Sequence, residues 1–359
     1  MMAFTSLRLP TSPRRTDRRS TLEGRGMIRM QAAAMAVLFA MPAMAQEKPV
    51  LTVYTYSSFS GEYGPGATIK ERFEAECGCT LDWVASDDAG TLLARLKLEG
   101  TSTRADVVLG LDNNLIAEAR ASDLFAPHGV DAGALALPVE WSDDTFVPFD
   151  WGRFAFVYDS TKLDAPPASF DALIGDADGP SIIIQDPRTS SPGLGLLLWV
   201  RAIYGDEAPA IWEKLRPRVV TVTQGWSEAY GLFLKGEADM VLSYTTSPAY
   251  HIGVENDPKY KAAEFSEGHY LQVEVAAMTR STDQPDLAGE FLRFMLSDRF
   301  QSAIPEGNWM YPAKEPAGGL PGSFGTLIEP QKSLLVDDAE IDAGRRTWID
   351  EWLAAMSRS

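Results

Sequence analysis

Between Gly225 and Tyr250 the chain reads GWSEAYGLFLKGEADMVLSYTTSPAY, and this stretch gathers side chains suited to holding a ligand. Ala229, Leu232 and Phe233 recur at helical spacing, Gly236 stands where a helix ends, and Met240-Val241-Leu242 is a short apolar run of buried-strand type. Tyr, Ser and Thr then crowd the residues beyond that run. Open α/β sheets take their ligands at this place, outside the carboxyl ends of the strands. Flat rings with hydroxyls between them make a cage for a flat molecule. No nucleophile stands beside a base.

Thr189-Ser190-Ser191-Pro192-Gly193-Leu194-Gly195 is a second group with chemistry in it. A hydroxyl at an N-cap, Pro at the first helical position and two following glycines expose backbone N–H groups, which bind phosphate or carboxylate without a basic side chain. Ordinary helix capping explains the Ser and the Pro equally well. The carboxylates of Ser86-Asp87-Asp88-Ala89-Gly90 follow a strand and precede a helix, so they either face a ligand or cap that helix. Asp112 ends a later strand in the same way. Cys77 and Cys79, the two cysteines, are separated by Gly78. The glycine permits the tight ring of a local disulfide, favoured here over two free thiols. No metal site is expected, because His128, His251 and His269 are not spaced to complete one. G-x-S-x-G, a P-loop and a complete G-x-G-x-x-G are all missing from the sequence, which argues against an enzyme.

These residues sit in a chain of 359 residues with net charge −18. Residues 1–45 belong to export rather than to the fold. Arg8, Arg14, Arg15, Arg18, Arg19 and Arg25 show no hydrophobic period, and Met27–Met30, the apolar run Gln31–Ala40 and Ala43-Met44-Ala45 form a secretory signal peptide. About ten apolar residues are too few to cross a bilayer. Cleavage is expected after Ala45, with a start at Met27 or Met30 and residues 1–26 as an upstream segment. The remainder, roughly 310 residues, suits two domains. It is more acidic still, which argues against nucleic acid and anionic membranes and favours cationic ligands.

The elements that must position the candidate residues alternate. Leu51–Tyr56, Leu81–Ala85 and Ala105–Gly110 read as strands, with helices around Ile69 and Phe73 and over Thr91–Leu98. A second series runs Ser181–Gln185 strand, Gly193–Tyr204 helix, Val219–Thr223 strand, Ser227–Leu234 helix and Met240–Tyr244 strand. Both series are parallel α/β. Phe146–Asp159 is extended and too long for one lobe, so it reads as a crossing, and Glu267–Ala277 as the return. Leu287–Ile304 reads as one helix. In Ile341–Met356, Trp348, Ile349, Trp352 and Leu353 share a helical stripe that packs on the core. The expected division is residues 46–148 with 275–315 in one lobe and 149–274 with 316–359 in the other.

The strings TVYTY, ADVVLGLDNNL, DTFVPFDWGRFAFVYD, QDPRTSSPGLGLLLW, GWSEAYGLFLKGEADMVLSYTTSPAYH, FSEGHYLQVEVAA and AIPEGNWMYP resemble the periplasmic thiamine-binding proteins of thiamine ABC importers. The similarity covers essentially all of the chain after residue 45. It implies a two-lobed type II periplasmic-binding-protein fold with hinged extended crossings, closing on thiamine and its mono- and diphosphate esters. It further implies a periplasmic, monomeric protein without cofactor that delivers its cargo to an inner-membrane permease with a cytoplasmic ATPase. Rival readings are the same fold holding a ferric ion or a polyamine, and a thiamine-degrading enzyme.

Carried residue by residue, the resemblance assigns Tyr56, Trp226, Tyr244, Tyr250 and Trp309 to aromatic walls around the thiazolium cation. It assigns Asp88, with the backbone of Ala89, to the ligand, although glycine is expected at that second position. Ser190 and Ser191 become the phosphate pocket, which Thr245, Thr246, Ser247 and Pro248 close. Arg188 is available to assist a phosphate or to pair with Asp186. Tyr63 stands where the family often has Trp.

Overall fold

The computed structural model describes residues 48–175 and 178–357, so the expected signal segment and its cleavage point lie outside the described residues. The first half consists of β1 (Val50–Tyr56), α1 (Gly66–Cys77), β2 (Thr80–Ser86), α2 (Ala89–Glu99), β3 (Val107–Asp112) and the short α3 (Ile116–Ala121). The long β4 (Val147–Asp159) leads to α4 (Phe170–Gly175), β5 (Ile182–Gln185), α5 (Ser191–Tyr204), α6 (Ala208–Leu215), β6 (Val219–Thr223), α7 (Trp226–Leu234) and β7 (Met240–Tyr244). Then come β8 (Tyr260–Ala262), β9 (His269–Met278), α8 (Pro285–Met295), β10 (Tyr311–Pro312), β11 (Ser333–Leu334) and α9 (Asp338–Met356).

The main strand order is β2-β1-β3-β9-β4-β7-β5-β6. At each end the pairing is parallel, β2 and β3 flanking β1 and β6 and β7 flanking β5. The centre is antiparallel, because β9 runs against β3 and β4, and β4 against β7. β4 joins the halves: Val147–Arg153 pair with β9, and Phe154–Tyr158 pair with β7. At about 3.3 Å per residue its 13 residues reach across both halves of the sheet. Cover on both faces explains why this strand lacks the alternation of a half-exposed one. β9 is the second long strand, its Leu271–Ala276 against β4 and its Glu274–Met278 against β3.

One apolar cluster runs through both halves, from Tyr54, Leu92 and Leu96 to Phe156, Trp199 and Trp212, and takes in Trp348 and Trp352 of α9. α9 packs on α3 of the first half and on α5 and α6 of the second. Arg345 bonds Glu118, and the Arg201 guanidinium lies 4.9 Å from the Trp348 ring centre. The terminal helix therefore ties the two halves together on the face it covers. A second cluster, including Phe73, Phe291 and Phe294, backs the first sheet.

The structure departs from the sequence reading in two places. Leu287–Ile304 is not one helix: α8 stops at Met295, Ser297 turns extended, and single turns follow at Asp298–Gln301 and Ile304–Gly307. The apolar period continues through the break, and period alone does not register one extended residue. α6 is a further helix where the sequence reading places no element, short and entered through the turn Gly205–Glu207. Cys77 and Cys79 are joined in a disulfide, with Gly78 between them in the left-handed conformation.

Candidate functional site

A cavity of about 500 Å³ opens between the halves. Tyr56 enters it as the last residue of β1 and Tyr244 as the last of β7, while Trp226 is the first residue of α7. Tyr56 reaches its position because Gly110 in β3 has no side chain: a Cβ there would stand 2.2 Å from the Tyr56 ring. Gly110 adopts φ +103° at a register shift between Leu109 and Leu111, a conformation that favours glycine.

The remaining rings come from α7, from the single turn Pro248–Tyr250 and from the loop after Gly307. Tyr230, one turn along α7, stacks on Trp226 at 5.0 Å between centres. Tyr250 meets Trp309 edge to face at 5.4 Å. Trp309 has φ +56°, an uncommon conformation for a bulky residue and of the kind that gathers at ligand sites. The Trp226 indole donates to Ser243 Oγ at 2.8 Å, and Ser243 bonds Ser247 at 2.7 Å. Behind the stack, the Tyr230 hydroxyl meets His251 Nε2 at 2.9 Å, and His251 Nδ1 meets Glu255 at 2.7 Å. Burial holds the His251 pKa below its ordinary value.

Of the residues expected at the site, Tyr56, Asp88, Ser191, Trp226, Tyr244, Ser247, Tyr250 and Trp309 line the cavity. Ala89, Ser190, Thr245 and Thr246 are buried beside it without lining it, and Pro248 begins a single helical turn. Arg188 forks onto Asp186 at 2.5 Å, outside the lining. Tyr63 stands at the rim, 78 % exposed.

The start of α5 carries a surprise. Asp88, from the first half, accepts from the Ser190 hydroxyl at 2.7 Å and the Trp226 N–H at 3.2 Å. It also accepts the Ser191 N–H at 3.4 Å and, as the N-cap of α2, the Ala89 N–H at 2.8 Å. The Ser191 hydroxyl donates to Asp112. The donors expected to face phosphate are thus held by two of the protein's own carboxylates. Asp88 is the cap and a bridge to the other half at once.

Two further carboxylates were not foreseen. Glu274 of β9 lines the cavity, accepting from the Tyr56 hydroxyl at 2.8 Å and from Asn308 at 3.2 Å. Asp150 of β4 lies against it and accepts from Asn308 at 2.6 Å. Both sit inside strands that read as apolar crossings, so only strand register brings them together. Burial raises the carboxyls of Asp88 and Glu274, lifting Glu274 far above its ordinary range, and pushes Asp112 to about 6 and Asp150 to about 7. Among the described residues, no Lys, Arg or His lines the cavity. Aromatic walls over uncompensated carboxylates suit a flat cation.

Residues 60–302 match the family model described as bacterial extracellular solute-binding protein. The thiamine-binding periplasmic protein of Salmonella typhimurium is 56 % identical over 324 residues, 90 % of this chain and 98 % of that protein. That of Escherichia coli is 55 % identical over 329 residues, 92 % of this chain and 100 % of that protein. A solved structure of a periplasmic thiamin binding protein superposes with a TM-score of 0.85 at 57 % identity, covering 88 % of this chain and 99 % of that one. The two-lobed periplasmic-binding fold follows. With its whole described fold and both close relatives in agreement, the chain belongs to the thiamine-binding periplasmic proteins of the bacterial extracellular solute-binding family.

Proposed function

We propose that this chain captures thiamine in the periplasm and hands it to an inner-membrane ABC permease driven by a cytoplasmic ATPase, without turning it over. One observation carries the reading: the cavity between the halves is walled by Trp226, Tyr230, Tyr244, Tyr250 and Trp309 and has Glu274 and Asp88 in its lining, with no Lys, Arg or His among the described residues beside them there. Thiamine is a permanent thiazolium cation joined to a flat aminopyrimidine. A cation over a Trp or Tyr face gains roughly 0.5–2 kcal/mol. A few such contacts supply much of the ~8 kcal/mol that micromolar affinity requires. The lobes of this reading are residues 46–148 with 275–315 and 149–274 with 316–359. The register of β4, which leaves β9 after Arg153 and joins β7 at Phe154, supports a division along that strand.

The mono- and diphosphate esters belong to the same proposal. Ser191 lines the cavity beside the N-terminus of α5, and the hydroxyls of Ser57 and Ser58 lie in the same lining. An ester phosphate reaches the α5 donors only by displacing Asp88 and Asp112. Tryptophan quenching with thiamine, ferric citrate and spermidine tests the cargo. Saturable quenching by thiamine alone is expected; a response to iron or polyamine without one to thiamine overturns the reading. Calorimetry with the three thiamine species tests the esters separately, and binding of free thiamine alone restricts the cargo to the unphosphorylated cation.

A further inference from the structure

Under the aromatic cavity lies a group that cation binding by itself does not require. Asp150 of β4 and Glu274 of β9 stand directly opposite each other in the strand pairing, and a single amide nitrogen reaches both carboxyls. Carboxylate oxygens only accept, and two like charges this close in a buried site are relieved when one of them carries a proton. Asn308 donates to both acids, and the Tyr56 hydroxyl donates to Glu274. Among the described residues, no basic side chain is a hydrogen-bond partner of either acid. Asp150 is fully buried, and its Oδ1 has no partner. Glu274 reaches the cavity surface. The pair is therefore two acids at one buried site, one member open to the ligand space and the other sealed behind it.

Resting on the reading of the cargo as a cation, we propose that Asp150 and Glu274 are a proton-exchanging counter-ion: the pair holds one shared proton without ligand and releases it to solvent as thiamine binds. The exchange balances, one fixed positive charge entering and one proton leaving, so the buried site keeps its net charge. The arrangement also resolves a conflict in the fold. Two bare carboxylates side by side in a dry site are costly, and the proton removes that cost while the cavity lacks a cation. A thiazolium beside Glu274 removes the need for it, since an opposite charge within about 4–6 Å lowers a carboxyl pKa by about 1–3.

The other titratable groups facing the pair do not substitute for it. Tyr56 from β1 and Tyr244 from β7 are held well above their ordinary range by burial and neighbouring carboxylates, so both stay neutral. Asp112 from β3 is engaged by Ser191, and Asp88 at the start of α2 by Ser190 and Trp226. Burial pushes Asp150 to about 7 and, with Asp150 beside it, raises Glu274 as well, so the pair titrates as one unit near neutrality.

Calorimetry of the full chain with free thiamine, whose charge is constant near neutrality, provides the test. Titrations at about pH 6 in two buffers of different ionisation enthalpy count the protons released, and affinity is followed from about pH 6 to about pH 8. Release of about one proton at the lower pH is expected, fading toward zero at the upper. Affinity should rise by up to tenfold per pH unit below the titration of the pair. The double variant Asp150→Asn/Glu274→Gln should bind more weakly, release no proton and lose the pH dependence. Equal enthalpies in both buffers for the wild-type protein overturn the proposal, as does undiminished proton release from the double variant. In either case saturable titration leaves the thiamine reading standing, whereas the absence of thiamine binding at every pH overturns that reading instead.

Discussion

At the scale of single residues the site depends on flat rings and carboxylates, and the two behave differently on substitution. Trp226→Ala and Tyr244→Ala should each weaken thiamine binding by about 1–3 kcal/mol through lost stacking and cation contact. Both side chains are part-exposed at the cavity, so denaturation midpoints should move little; unchanged affinity for both variants would remove them from the cage. Asp88 belongs to another class. Its oxygens are engaged by Ala89, Ser190, Ser191 and Trp226. Asp88→Asn should therefore weaken thiamine and a neutral analogue alike, by on the order of 2 kcal/mol, because what fails is the bridge between halves. A loss confined to the cation would make Asp88 its counter-charge instead. The rings were legible in the sequence because they stand just past the ends of apolar runs, where open α/β sheets take their ligands. Glu274 and Asp150 were not, since an acid inside a run of apolar residues carries no local mark of its partner.

At the scale of elements, β3 and β9 show how much depends on one position. Gly110→Ala sets a methyl against the Tyr56 ring at a φ that disfavours side chains. It should cost roughly 1–3 kcal/mol of stability from the backbone alone and weaken thiamine binding as Tyr56 shifts; denaturation and calorimetry on the same variant check both. His269 opens β9 fully buried and neutral. Its Nδ1 donates to the Phe154 carbonyl at 2.7 Å, and its Nε2 accepts the Phe265 N–H at 3.0 Å. Burial pushes its pKa down to about 4. A lowered folded pKa means this contribution is complete above about pH 6.5 and lost as pH falls toward 4, on the order of 3 kcal/mol. His269→Gln should flatten that acid limb in thermal melts, and an unchanged limb would assign it to other groups. Strand positions were readable from apolar runs, and most helix positions from period. The break after Met295 was not, because helical period survives an interruption of one residue.

For the whole molecule, the cavity takes Tyr56 and Asp88 from one half and Trp226 and Tyr244 from the other, so a ligand touching both should favour closure. The radius of gyration from small-angle scattering should fall on saturation with thiamine, and an unchanged value would count against closure. Stability should also depend on the acids beneath the cavity. Asp112 at about 6, Asp150 at about 7 and the strongly raised Glu274 keep protons that the unfolded chain, with carboxyls near about 4, gives up. Raised folded values contribute stability that is complete below about pH 4 and lost as pH rises through about 6–7. The ligand-free melting temperature should fall over that range, less so for Asp150→Asn/Glu274→Gln, and thiamine should reverse the fall. A flat profile in the ligand-free protein would mean these acids ionise as freely in the folded state as in the unfolded.

By itself the sequence determined the alternation of strands and helices, the long crossing at Phe146–Asp159 and the aromatic gathering after β7. Each is a local pattern: a period, a run or a cap that a dozen neighbouring residues impose on their own backbone. Only the tertiary structure decided that the α5 donors face Asp88 and Asp112, that Gly110 makes room for Tyr56, and that Asp150 meets Glu274 across two strands. Those pairings join residues 54 to 124 positions apart. Their geometry is set by strand register and by how the two halves close, quantities no short window of the chain contains.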